Sequence, residues 1–119
     1  VLGVQGGDTV SIEERLISAF NGLVPAASQT YKGDEDEYIT INYTAIPDDY
    51  GDDDADVVRV LVQVHYFAPH ELNTVKTRRE ITRRIVAAGF TRPSITPASD
   101  GTSQHYVYEC EDAVAVSEV

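Results

Sequence analysis

Six carboxylates fall within the nine residues "DDYGDDDAD", Asp48 to Asp56, and so dense a set invites a search for a bound cation. Calcium takes about six to eight oxygen ligands, and Asp52, Asp54 and Asp56 stand at alternate positions, as the first ligands of an EF-hand loop do. Such a loop then needs glycine at its sixth place and glutamate at its twelfth. Val57 and Gln63 stand there instead, the second inside a stretch that reads as a strand. The spacing favours a solvated acidic loop, with Asp48, Asp49, Asp52, Asp53, Asp54 and Asp56 assigned to no metal.

Zinc has little to work with. His65, His70, His105 and Cys110 are the only soft ligands, and no two are spaced as zinc ligands usually are. His105 and Cys110 are an odd number of residues apart, so a regular strand turns them to opposite faces. The expected places are ordinary ones, with Cys110 in the core and His65 and His105 on the polar side of a sheet. Catalytic motifs are also missing: there is no G-x-S-x-G elbow, no H-E-x-x-H helix, no Walker loop and no G-x-G-x-x-G turn. No catalytic residue and no cofactor is assigned, because carboxylates in solvated loops keep their ordinary ionisation.

The remaining cluster is basic. Lys76, Arg78, Arg79, Arg83, Arg84 and Arg92 are six of the nine basic residues and lie within 17 positions, whereas ten of the twenty acids lie between Asp34 and Asp56. The net charge of −11 argues against a general nucleic-acid binder, which gains affinity by replacing counterions along phosphates. Three readings of Lys76, Arg78, Arg79, Arg83 and Arg84 stand open: a solvated helix face, a phosphate contact, or a contact with the acidic loop of a neighbouring subunit.

The elements that carry these residues follow from periodicity. "SIEERLISAFNGLV" starts with the capping box Ser11 and Glu14, and Ile12, Leu16, Phe20 and Leu23 form an apolar stripe. The pattern predicts a helix of about three turns ended by Gly22, with Pro25 as a stop. A short strand is expected near "SQTYK". "YITINYTAI" and "VVRVLVQVHYF" alternate with period two and read as a long hairpin with the aspartates at its tip. From Pro69 the period becomes that of a helix, whose stripe Ile81, Ile85 and Ala88 faces the sheet and whose end is the Schellman pair Gly89 and Phe90. Pro93 and Pro97 restrict "TRPSITP" to an edge strand or an extended connection, "SDGT" reads as a turn, and "QHYVYEC" alternates as a last strand before a small-residue tail.

The expected fold is α+β: a mainly antiparallel sheet of four to five strands with two helices packed on one face. The expected organisation is a flexible N-terminal arm over 1–10, a single domain over 11–112 and a tail over 113–119. The lone cysteine fits a reducing compartment, and no stretch has the length or apolarity of a membrane span or signal peptide. A soluble, intracellular protein is expected.

The order of these features resembles that of the tail terminator, or tail-completion, proteins of long-tailed bacteriophages. The resemblance covers roughly residues 11 to 112 and rests on the capped first helix, "TYKGDEDEYITINY", the acidic loop, "VLVQVHYFAP", the helix closing in "IVAAGF" and the final "HYVYEC". It implies a non-enzymatic virion subunit that forms a homo-oligomeric, commonly hexameric ring on the end of a finished tail tube. The ring stops addition of tube protein and presents its opposite face to a head-completion or connector protein. Localisation would be the head-proximal end of the tail, and the host cytoplasm during assembly. DNA would be only passing cargo, and acids facing the ring's hole would keep it from sticking. Alternatives are another phage neck or head-completion ring protein, and a cytoplasmic ligand-binding domain of ferredoxin-like arrangement.

Overall fold

The computed structural model describes residues 11–47 and 57–115. The expected N-terminal arm over 1–10, the aspartate loop over 48–56 and the end of the expected tail, 116–119, lie outside the described residues. The described chain is α+β, with two helices and one five-stranded mixed sheet.

Helix α1 spans Ile12–Ala19. Its first turn is closed reciprocally: Glu14 N–H donates to Ser11 Oγ and Ser11 N–H donates to Glu14 Oε1, both at 3.1 Å. The helix is shorter than its apolar stripe predicts. Asn21 N–H bonds to Ser18 O and Leu23 N–H to Phe20 O, three residues back in each case, so the chain tightens out of the α geometry before Gly22 reverses it at φ +82°. Phe20 is nevertheless buried, because the tightened turn keeps it over the sheet.

The strands are β1 (Ala26–Ser28), β2 (Tyr38–Pro47), β3 (Val57–Ala68), β4 (Ser94–Pro97) and β5 (Gln104–Ala115), in the spatial order β1-β2-β3-β5-β4. The hairpin of β2 and β3 and the pairing of β3 with β5 are antiparallel and long, as the alternation requires. The short first strand lies near the expected stretch, and its direction makes the sheet mixed. It spans Ala26–Ser28, overlapping the "SQTYK" stretch at Ser28, and runs parallel to β2 with Ala26 opposite Ile39. The cause is local: Gln29 takes a left-handed φ of +64° and ends the strand, while Pro25 O and Gln29 N–H bond to Ile39 and Ile41 of β2, both at 2.8 Å. Strand β5 continues to Ala115 opposite Val57.

Helix α2 spans Val75–Ala87. Its end forms the expected Schellman motif, with Phe90 N–H reaching Ile85 O at 3.3 Å, Gly89 N–H reaching Val86 O at 3.0 Å, and Gly89 at φ +100°. Its start is pinned from below by Gln104 of β5, whose amide donates to Pro69 O and Leu72 O at 2.7 Å and whose carbonyl accepts from Thr74 Oγ1 at 3.0 Å. Ile12, Leu16 and Phe20 of the first helical segment, Ile81 and Ile85 of α2, and one sheet face (Ile39, Ile41, Val60, Val62, Val64, Tyr66, Tyr108 and Cys110) form a single core. Among the described residues no helix is long and apolar enough to cross a membrane.

Candidate functional site

The basic cluster of α2 divides once the helix is docked. Arg84 lies under the helix and donates to the carbonyls of Ala19 and Asn21 at 3.1 and 2.9 Å, and to Glu80 at 2.8 Å. It satisfies the exposed carbonyls at the end of α1 and ties the two helices together, which makes it a structural residue. Arg78 is also held, 3.0 Å from Thr74 Oγ1 and with its guanidinium 4.5 Å from the centre of the Tyr106 ring. Arg83 forks onto Glu80 at 3.0 and 2.6 Å. The two arginines on Glu80 hold its carboxyl down at about 2. The side chains of Arg79, Arg92 and Lys76 make no hydrogen bond or ion pair among the described residues.

Four of these cations frame an open groove of about 920 Å³ between α2 and the edge strand β4. Arg78, Arg79, Arg83 and Arg92 supply its charge, and Val75, Val86 and Ile95 its apolar floor and wall. These three are 43%, 44% and 46% exposed, which is high for side chains on the helix-bearing side of the sheet. Ile95 is on that side because it pairs with the buried Tyr108. The sequence reading missed Arg92, Val75, Val86 and Ile95 as site residues. A signal was present: Val75, Arg79, Thr82 and Val86 follow one another at intervals of four, three and four, a second helical stripe beside the core stripe. Lys76 and Arg84 lie outside the groove lining. Asp48, Asp49, Asp52, Asp53, Asp54 and Asp56 lie outside the described residues, between the ends of β2 and β3.

Among the described residues the sheet's other face carries no helix, and it holds a ladder of rings. Tyr31 stacks on Tyr38 at 4.7 Å, Tyr38 on Phe67 at 4.8 Å and Phe67 on His105 at 4.2 Å. His65 Nδ1 is 2.9 Å from His105 Nε2, His65 Nε2 is 3.3 Å from Gln63 Oε1, and Gln63 Nε2 donates to Glu109 Oε2 at 3.0 Å. One proton arrangement satisfies the whole chain. The Gln63 amide donates to Glu109, so its carbonyl accepts from His65 Nε2–H, and His65 Nδ1 then accepts from His105 Nε2–H. Both imidazoles are neutral in it.

Burial lowers the pKa of both histidines. The charge of His105 lowers that of His65 further, while Glu109 opposes the shift at His65 and Asp100 opposes it at His105. The unfolded chain therefore takes up protons first as pH falls, so this contribution to stability is complete above the ordinary value of 6.5 and is lost as pH falls below it. Urea midpoints should drop between pH 7.5 and pH 5.5, and His65→Gln with His105→Asn should flatten that drop. An unchanged slope in the double variant would remove the pair as its source.

Cys110 is buried, and burial with Asp112 and Glu111 nearby pushes its thiol up to about 12, which suits a core side chain and not a nucleophile. Among the described residues no group of three or more His, Cys, Asp or Glu side chains is placed to hold a metal ion. No protein-family model matches the chain, and no curated protein matches it in sequence.

Proposed function

We propose that this chain is a structural subunit that assembles into a ring, and that the ring is a tail terminator, capping the tail tube of a long-tailed bacteriophage and joining it to the head. The observation that carries the assembly half of this reading is the groove between α2 and β4. It places exposed valine and isoleucine side chains among arginines, two of which, Arg79 and Arg92, have no partner among the described residues. Apolar contact area with arginine at its margin is the composition of a protein interface. The phage half rests on the order of features along the chain, with which the two-helix α+β fold agrees.

The test has two readings. Light scattering during size exclusion, across a hundredfold concentration range, should show either a stable ring or a monomer. Mixing with purified tail tubes lacking their own terminator should then place the protein at one tube end by negative-stain microscopy and stop tube elongation. A monomer indifferent to tubes would end the proposal.

A further inference from the structure

The groove lies at one lateral edge of the sheet, and a run of three exposed acids without ion pairs lies toward the other. Asp34, Glu35 and Asp36 follow β1 and immediately precede β2, the two strands farthest from β4 in the order β1-β2-β3-β5-β4. All three are exposed and none forms an ion pair among the described residues. Their turn is held in place. Glu37 accepts from the buried Tyr66 hydroxyl at 2.5 Å, Glu35 N–H donates to Tyr31 Oη at 3.3 Å, and Tyr31 stacks on Tyr38. Gly33 lies directly against the Tyr31 ring, where a Cβ would collide with it.

Strands β2 and β4 are three strand spacings apart, about 14 Å, and the turn is tied down on the far side of β2, so it does not reach the groove of its own chain.

The groove's own edge narrows what it accepts. Ala98 N–H bonds to His105 O at 2.7 Å, and with Ser94 opposite Glu109 this register points the backbone groups of residues 94, 96 and 98 toward β5. The outward positions are Pro93, Ile95 and Pro97, and proline has no N–H, so Ile95 supplies the one backbone donor along that edge. An added strand would find carbonyl acceptors but a single donor, too few for a regular two-way ladder. Recognition falls to side chains: guanidinium groups over an apolar floor.

We infer that the groove receives the Asp34–Asp36 turn of a second copy of this chain, joining copies edge to edge. This inference rests on the self-assembly in the preceding proposal and names its contact, and it is independent of the phage assignment. Opposite edges also constrain symmetry. A two-fold dimer uses one patch on both partners, whereas an acidic edge meeting a basic edge is a heterologous contact that repeats around a ring or along a filament. Arg79 and Arg92 are the expected carboxylate partners, with Val75, Val86 and Ile95 covered by the neighbour.

The experiment uses two full-length variants. One carries Arg79→Glu and Arg92→Glu, the other Asp34→Lys and Asp36→Lys; all four side chains are exposed, and circular dichroism with thermal melting verifies that each variant folds. Alone, each sets like charges against like, and the concentration needed for half assembly should rise about tenfold or more. Mixed in equal amounts, acidic grooves meet basic turns and basic grooves meet acidic turns, so assembly should return with the two variants alternating, as native mass spectrometry would read. Wild-type assembly should also weaken with added salt. Folded variants that assemble alone as wild type does, or a mixture that stays monomeric, would overturn the inference, as would a wild-type chain monomeric at every concentration. Restored rings that ignore tail tubes would support this contact and sink the tail-terminator reading alone.

Discussion

Replacing Leu16 with alanine is expected to lower the unfolding free energy by about 3 kcal/mol and the melting temperature by roughly 10 °C. Leu16 has no exposed surface and sits in the one core, between the first helix and the helix-bearing face of the sheet. Helix α1 has eight residues, too few to persist alone in water, so its stability comes from this buried stripe and from its capping box. Truncation removes the transfer energy of the side chain and leaves a void that a short helix tied down at both ends fills poorly. Against a total stability of about 5–15 kcal/mol, such a loss is large. Chemical denaturation of Leu16→Ala beside Leu16→Met, which keeps the volume, checks the claim. A loss below about 1 kcal/mol for the alanine variant would mean that α1 is not pressed against the sheet as described.

The second large effect is expected at Arg15, which joins three elements at once. Its guanidinium meets Asp112 of β5 at 2.5 Å, donates to Ala88 O at the end of α2 at 2.8 Å, and lies over the Phe90 ring at 4.5 Å. The Asp112 side chain is only 13% exposed, so Arg15→Ala leaves a poorly hydrated carboxylate unpaired and a helix-end carbonyl without its donor. Arg15 itself keeps 28% of its surface, which lets water soften the loss, and about 2 kcal/mol is expected in place of the larger cost of a fully buried pair. A double-mutant cycle with Asp112→Asn should show a coupling of about 1 kcal/mol. Purely additive losses would assign the effect to the Phe90 contact and the Ala88 carbonyl.

These two neighbours in sequence show how unevenly the chain can be read. Leu16 belongs to an apolar stripe that periodicity announces, and the alternation over β2, β3 and β5 likewise indicates which side chains are buried: Ile39, Ile41, Val60, Val62, Val64, Tyr108 and Cys110 all are. Capping boxes and Schellman endings depend on residues three to five apart, so Ser11, Glu14, Gly89 and Phe90 were legible too. Arg15 carried no such signal, since its partners lie 97 and 73 positions away. The basic helix was partly legible. Its charge stood out, and Arg79 is exposed as the helical period requires, but nothing along the chain indicates that Arg84 is spent on the carbonyls of Ala19 and Asn21.

By itself, then, the sequence determined the local periods, the helix caps, the turn at Asp100 and the separation of acidic from basic segments, because each depends on neighbours along the chain. Tertiary structure decided the parallel direction of β1, the groove between α2 and β4, the ring ladder across the open face and the placing of opposite charges at opposite edges. Those depend on strand order and register. The physical reason is that backbone pairing is nearly indifferent to side-chain identity, so which strands become neighbours is set only by the whole core closing at once.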